Sequence, residues 1–270
     1  MKKAKTMPWL LCAVSLLLLC VIAGCAAPAE PDGPENSGAP EPPPVEAQEP
    51  EAIALGGNTF PLDAEEVYLE TNGKEAFFQG LSDLPAFSAA RSVRVAFLGG
   101  ELEGDVDLTA LGEMPALESL TLSLPGDSGC LEGLAACSAL KELHLNGFRD
   151  LSLPPLEVEE LYISQSKAVG WSTLEAIPEL TYLYVSETDS LPGFGMLVRC
   201  ETLRKIHFVL GTAQWEALGG APEDLERLTE ALTLTGEGEL PDWLPFPAEE
   251  LAAFLSRPGA EVVLHRDHMA

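Results

Sequence analysis

Glu142 and His144 stand two residues apart in "ELHL", and Glu160 follows in "VEELYI". A carboxylate near an imidazole is the pairing that general acid–base chemistry uses, since it orients the ring and stabilises its charged form. His144 with Glu142 or Glu160 is therefore the candidate centre of a small hydrolase or carbohydrate-active enzyme. Two further groups have metal-ligand chemistry. "ELEGDVDL" alternates Glu101, Glu103, Asp105 and Asp107, oxygen donors of the kind calcium takes, but without the order of an EF-hand loop, so it reads as a solvated acidic turn. "HRDH" places His265 and His268 three apart at the chain terminus with no further ligand nearby. The sequence contains no HExxH, GxSxG, GxxxxGK[ST] or GxGxxG, and its SxxK pairs, Ser138 with Lys141 and Ser164 with Lys167, lack KTG or SDN companions. No nucleophile, base and orienter can be assembled from spacing, so the sequence is read as a non-catalytic chain with no cofactor and no metal.

The elements that must carry these residues repeat. The frame LxxLxL fits "LESLTL" at 117–122, "LKELHL" at 140–145, "VEELYI" at 158–163, "LTYLYV" at 180–185 and "LRKIHF" at 203–208. Looser copies flank them at 64–69, 90–95, 229–234 and 259–264. Their fourth positions (Val67, Val93, Leu120, Leu143, Leu161, Leu183, Ile206, Leu232, Val262) are separated by 26, 27, 23, 18, 22, 23, 26 and 30 residues. These steps bracket the 20–29 residues of leucine-rich repeats, the family that the chain resembles from about residue 60 to 265. The resemblance implies an α/β solenoid: about nine strands forming a parallel sheet on the open face, with helical or extended return segments between them. "LTALGEMPA", "LEGLAACSA", "WSTLEAIPE" and "AQWEALGGAPEDLER" have helix-like apolar spacing, whereas "LSLPPLEVEE" in the 18-residue repeat is predicted to return as extended chain because of its proline pair. The family's asparagine three residues past the last apolar position occurs only as Asn72. Leu98, Pro125, Phe148, Ser166, Thr188, Gly211, Glu237 and Asp267 hold the equivalent places. Cys137 and Cys200, each three residues before an opening leucine, resemble the buried cysteine of cysteine-containing leucine-rich repeats.

Successive side chains of a strand point to opposite faces. With the frame's apolar positions inward, Tyr68, Arg94, Thr121, His144, Tyr162, Tyr184, His207, Thr233 and Val263 form the middle outward row. Glu66, Glu70, Ser119, Ser123, Glu142, Asn146, Glu160, Ser164, Tyr182, Ser186, Lys205 and His265 flank it. All four tyrosines of the chain and three of its four histidines fall on this surface. Tyrosine gives large contact area at low entropic cost, so His144, Tyr162, Tyr182, Tyr184 and His207 are the candidate ligand-binding residues, with a protein or a glycan as partner.

The chain begins with Lys2, Lys3 and Lys5, an apolar run from Trp9 to Ala23, and "IAGC" at 22–25. The run has 15 residues, short of the roughly 20 needed to span a bilayer. The pattern resembles the lipobox of bacterial lipoproteins. That resemblance implies a signal peptide over 1–24, a lipidated Cys25, and a location on the extracytoplasmic face of a bacterial membrane, held there by the lipid anchor alone. Residues 25–52 then read as the anchor followed by a disordered stalk, with eight prolines, seven acids and no basic residue over 26–52, and 53–270 as the repeat domain. Without the signal, 43 acidic side chains face 12 basic ones, a formal charge of −31. A surface of that sign repels nucleic acid, which is excluded as a partner.

Overall fold

The computed structural model describes residues 51–100, 102, 106–126 and 128–267. The signal, Cys25 and most of the predicted stalk lie outside the described residues, as do Glu101, Glu103, Asp105 and His268. The described residues fall within one compact unit, Gln48–Ala270. It opens with a hairpin of β1 (Ala52–Leu55) and β2 (Asn58–Pro61), closed by Gly56 and Gly57 at φ +55° and +92°. Two positive φ values in a two-residue loop select glycine, and a Cβ on Gly56 would stand 2.6 Å from the Glu70 carbonyl oxygen.

Nine strands form the main sheet: β3 (Glu66–Thr71), β4 (Ser92–Phe97), β5 (Ser119–Ser123), β6 (Glu142–Asn146), β7 (Glu160–Ser164), β8 (Tyr182–Ser186), β9 (Lys205–Leu210), β10 (Leu232–Thr235) and β11 (Glu261–Arg266). From β3 to β9 they lie side by side, parallel and in chain order. The register is that of the repeat frame. Val67, Val93, Leu120, Leu143, Leu161, Leu183 and Ile206 form one buried column, and Leu69, Val95, Leu122, Leu145, Ile163, Val185 and Phe208 form a second. Leaving seven such pairs in water would expose the apolar surface that drives folding, at about 25 cal/mol per Å².

The last two strands depart from simple succession. β11 pairs parallel with β9, and β10 pairs antiparallel with β11 at the sheet's edge. The burial of their side chains explains the exchange. Val262 and Leu264 of β11 are both fully buried and suit an interior slot, whereas in β10 Leu234 is buried and Leu232 only partly, which an edge position tolerates.

The return segments are mostly tighter than α-helix. Residues 84–86, 109–113, 128–136 and 171–176 form 3₁₀ turns, which corrects the helix-like reading of "LTALGEMPA", "LEGLAACSA" and "WSTLEAIPE". The 3₁₀ form covers more distance per residue than an α-helix. True helices are α1 (Lys74–Asp83), α2 (Phe194–Leu197), α3 (Thr212–Ala217), α4 (Pro222–Leu225) and α5 (Ala248–Leu255). In the 18-residue repeat the chain runs without helix from Ser152 to Val158, and Leu151, Leu153, Leu156 and Val158 are buried. Its thinness leaves a hollow of about 410 Å³ beside Leu134, Cys137, Pro155, Leu156 and Pro178.

Five of the returns close with the same turn. Phe87, Met114, Cys137, Ile177 and Cys200 each donate an N–H to the carbonyl three residues back and accept one from the residue three ahead. All five are buried, so the cysteines share a packing column with phenylalanine, methionine and isoleucine. In the return before β11, Arg257 makes the same pair of backbone bonds and places its guanidinium on the carbonyls of Val198, Cys200 and Leu203. Without the asparagine ladder, the turns after the strands are satisfied by small polar groups. Ser166 Oγ donates to Ser164 O (2.9 Å), Thr188 Oγ1 to Ser190 O (2.7 Å), and Gln214 Nε2 to Thr188 O (2.7 Å). Gln165 and Glu187, at φ +49° and +48°, adopt the left-handed conformation at equivalent places.

Cys137 and Cys200 are free thiols. Burial pushes the Cys137 thiol up to about 11 from an ordinary value of 9.0, and raises Cys200 as well. Only the thiolate attacks, so iodoacetamide at pH 8 is expected to alkylate Cys137 in the folded protein about a hundredfold more slowly than in denaturant. Equal rates, read by mass spectrometry, would place this cysteine outside the core.

Candidate functional site

The outward face of β6 to β9 is built by strands that alternate core and surface residues, "ELHLN", "ELYIS", "YLYVS" and "KIHFVL". In-register pairing sets His144 opposite Tyr162, Tyr162 opposite Tyr184, and Tyr184 opposite His207. The middle row predicted from the sequence therefore exists in register from Tyr68 through His207. Beyond that it continues to Val263 and then Thr233, the reverse of chain order.

The rings touch. His144 and Tyr162 are parallel at 4.0 Å between centroids, with 4° between their planes. Tyr162 meets Tyr182 at 5.4 Å and Tyr184 at 5.7 Å, and Tyr184 meets His207 edge-on at 5.0 Å. His207 is followed by His265, nearly parallel at 5.8 Å. This last contact was not legible from spacing, because it depends on β11 taking the place beside β9. The row thus holds six rings from His144 to His265. Tyr68 stands apart at the far end of the face, 42% exposed and edge-on to Phe60 at 4.8 Å.

Two carboxylates are drawn onto the row. Glu142 Oε1 lies 2.6 Å from His144 Nε2, and Tyr162 OH donates to Glu160 Oε2 at 2.7 Å. The geometry assigns Glu142 to His144 and gives Glu160 to Tyr162. Among the described residues no hydroxyl or thiol hydrogen-bonds to His144. No cluster of three metal-ligating side chains forms among the described residues either. Asp107, the described member of the acidic stretch, accepts from Thr109 N (2.9 Å) and Thr109 Oγ1 (2.7 Å), which caps the turn at 109–113 and lowers its carboxyl below the usual range.

Contact among the rings alters their titration. Desolvation, then the hydrogen bond to Glu160 and the neighbouring charges, pushes the Tyr162 phenol well up, and desolvation likewise raises Tyr182. Desolvation, reinforced by His265, lowers His207 below 6.5, and its Nε2 is buried without a partner. His144, Tyr162, Tyr182, Tyr184 and His207 are all half-buried, because each ring shields the next.

Comparison with known proteins adds a distant likeness. No family model matches the chain. Over 197 residues it is 25% identical to an F-box/LRR-repeat MAX2 homolog of Oryza sativa subsp. japonica, a match that takes in 61% of this chain and 26% of that protein. The chain spans about a quarter of that relative's length. A mixed α/β chain with a large parallel sheet and this similarity is consistent with a leucine-rich repeat arrangement.

Two outcomes follow from the packing. Leu183→Ala, in the buried column, is expected to cost about 2–5 kcal/mol of stability. Tyr162→Ala loses a stacked ring and one hydrogen bond and is expected to cost about 1–2 kcal/mol. Chemical denaturation of both variants checks the order, and an equal loss would place Tyr162 in the core. The second outcome concerns pH. The folded protein holds His207 below its unfolded value, so the unfolded chain binds more protons and this residue's contribution to stability falls as pH drops through about 6.5. An NMR titration of His207 is expected to show a midpoint below that of a free imidazole.

Proposed function

We propose that this protein is a leucine-rich repeat binding module whose open sheet engages a protein or glycan ligand by surface complementarity, without catalysis. The observation that carries this reading is the unbroken row of six rings on the outward face. A core gains nothing from ordering aromatics on its solvent side, whereas tyrosines held rigid by their neighbours offer contact area at little further entropic cost. The distant similarity to an F-box/LRR-repeat protein supports an interaction role.

The same reading makes the protein a bacterial lipoprotein, exported and anchored through Cys25, with the proline- and glutamate-rich segment as a stalk between membrane and repeats. Its support is the order of a short apolar run, small residues and cysteine in the sequence. Two or more acyl chains would hold it stably, where a single one would not.

Capture from the native cell surface with the full chain as bait tests the binding face. A partner retained by the wild type is expected to be lost by the Tyr162→Ala, Tyr184→Ala double variant and kept by Glu216→Gln. Retention by the double variant would remove the ring row from the functional account. In the same cells, Cys25→Ala is expected to move the protein out of the detergent phase on phase partition; unchanged partitioning would refute the anchor.

A further inference from the structure

We infer that the part of the face around Glu142, Glu160, Tyr162 and Tyr182 seats an arginine side chain of an extended basic peptide. The inference rests on the reading of the open sheet as a binding face and specifies its occupant.

Glu142 and Glu160 are directly opposite each other on neighbouring parallel strands. Like charges in that relation are destabilising. Among the described residues no ion pair with Lys or Arg relieves either of them. Each carboxylate has one oxygen tied to its own strand, Glu142 Oε1 to His144 and Glu160 Oε2 to Tyr162. The second oxygens, Glu142 Oε2 and Glu160 Oε1, accept no hydrogen bond from the described residues, and an ionised carboxylate has about four lone-pair sites. Two acceptors on adjacent strands, about 4.8 Å apart at the backbone, suit the planar fork of a guanidinium.

Both carboxylates line a hollow of about 370 Å³ along the beginnings of the strands. Its charged lining is Glu118, Glu142, Glu159 and Glu160 against Arg91 and Lys141, and Arg91 is already engaged by Glu118 at 3.7 Å. The hollow is thus net acidic and opens beside the ring row. Tyr182 stands opposite Glu160 on the next strand and Tyr162 bonds Glu160, so the two rings, tilted at 56° and 5.4 Å apart, supply aromatic surface beside that carboxylate on which a cation can rest. The chain's formal charge of −28 steers a basic segment toward it. A sugar is disfavoured at this point, because the facing sides of His144 and Tyr162 are already stacked on each other.

The test uses the full chain and three fluorescent probes: a decapeptide alternating arginine and threonine, the same peptide with glutamate for arginine, and a neutral chito-oligosaccharide. Anisotropy is read at an ionic strength of about 0.15 M, where attraction beyond about 8 Å is screened. The arginine peptide is expected to bind and the glutamate peptide not to. The Glu142→Gln, Glu160→Gln variant is expected to lose at least about tenfold in affinity for the arginine peptide, while Glu216→Gln, Glu223→Gln, an equal change of charge on the exposed surfaces of α3 and α4, keeps it. Because glutamine removes the like-charge opposition, the first variant is also expected to unfold at a temperature no lower than wild type. Equal losses in the two variants would reduce the effect to general charge attraction and overturn the seat. A failure of the arginine peptide to bind would overturn it too. If the saccharide then binds and Tyr162→Ala, Tyr184→Ala abolishes that binding, the open face survives as a binding surface with a different occupant. If no probe responds to the tyrosine substitutions, the reading of the face fails along with its occupant.

Discussion

The carbonyl oxygen of the residue that precedes each strand from β3 to β8 accepts two successive N–H groups from the start of the next strand. Glu65 O receives Arg91 and Ser92, Arg91 O receives Glu118 and Ser119, and the pattern repeats through Glu118, Lys141, Glu159 and Thr181, at 2.8–3.1 Å. This shared acceptor fixes where each parallel strand begins relative to the last. Because side chains alternate with period two, a slip of one residue would turn the buried leucine columns to solvent and bury the acids and rings instead. In five of the returns a three-residue turn anchored on a buried side chain delivers the chain to its next strand at a constant offset. Repeats of 18 to 30 residues can therefore stack on one frame, with all variation in length absorbed on the side away from the strands.

A frame held by backbone and core has consequences for the outward face. Two polar pairings there are local to one strand, Glu142 with His144 and Glu160 with Tyr162, each two residues apart, while Arg94 reaches across to Glu70 of the neighbouring strand at 3.5 Å. The acid in the flanking row and the ring in the middle row form a unit that the strand geometry brings together without help from its neighbours. What the neighbours add is contact between rings, which desolvates Tyr162, Tyr182 and His207 and moves their protonation away from the usual values. The arrangement concentrates aromatic surface and uncompensated negative charge at one place while leaving the core columns untouched.

The alternation and the repeat were legible because they rest on a two-residue period and on the need to bury leucine, both written directly in residue type. From them came the strands, the two core columns and the row from Tyr68 to His207. Other features depend on longer-range competition. The exchange of β10 and β11 turns on how completely Leu232 is buried compared with Val262, a comparison that only the assembled sheet makes. The 3₁₀ form at 171–176 could not be read from the apolar spacing of "WSTLEAIPE", which an α-helix and a 3₁₀ turn can share. The left-handed turns at Gln165 and Glu187 are imposed by the register at residues whose type gives no sign of it. The contact of His207 with His265 follows from the strand exchange and was hidden with it.

The separation of core from face also bears on what likeness to other proteins can mean for this chain. In each strand the inward residues are restricted to apolar types and the outward ones are not, so two chains can share the frame while agreeing at few positions. An identity of 25% over 197 residues is what such a partial constraint permits. Identity at that level carries no report of a ligand. The recognition proposed for this protein is argued from His144, Tyr162, Tyr182, Tyr184 and His207 and from the carboxylates beside them. These side chains are arranged by the sheet, and their ring contacts add less to its stability than the buried columns do.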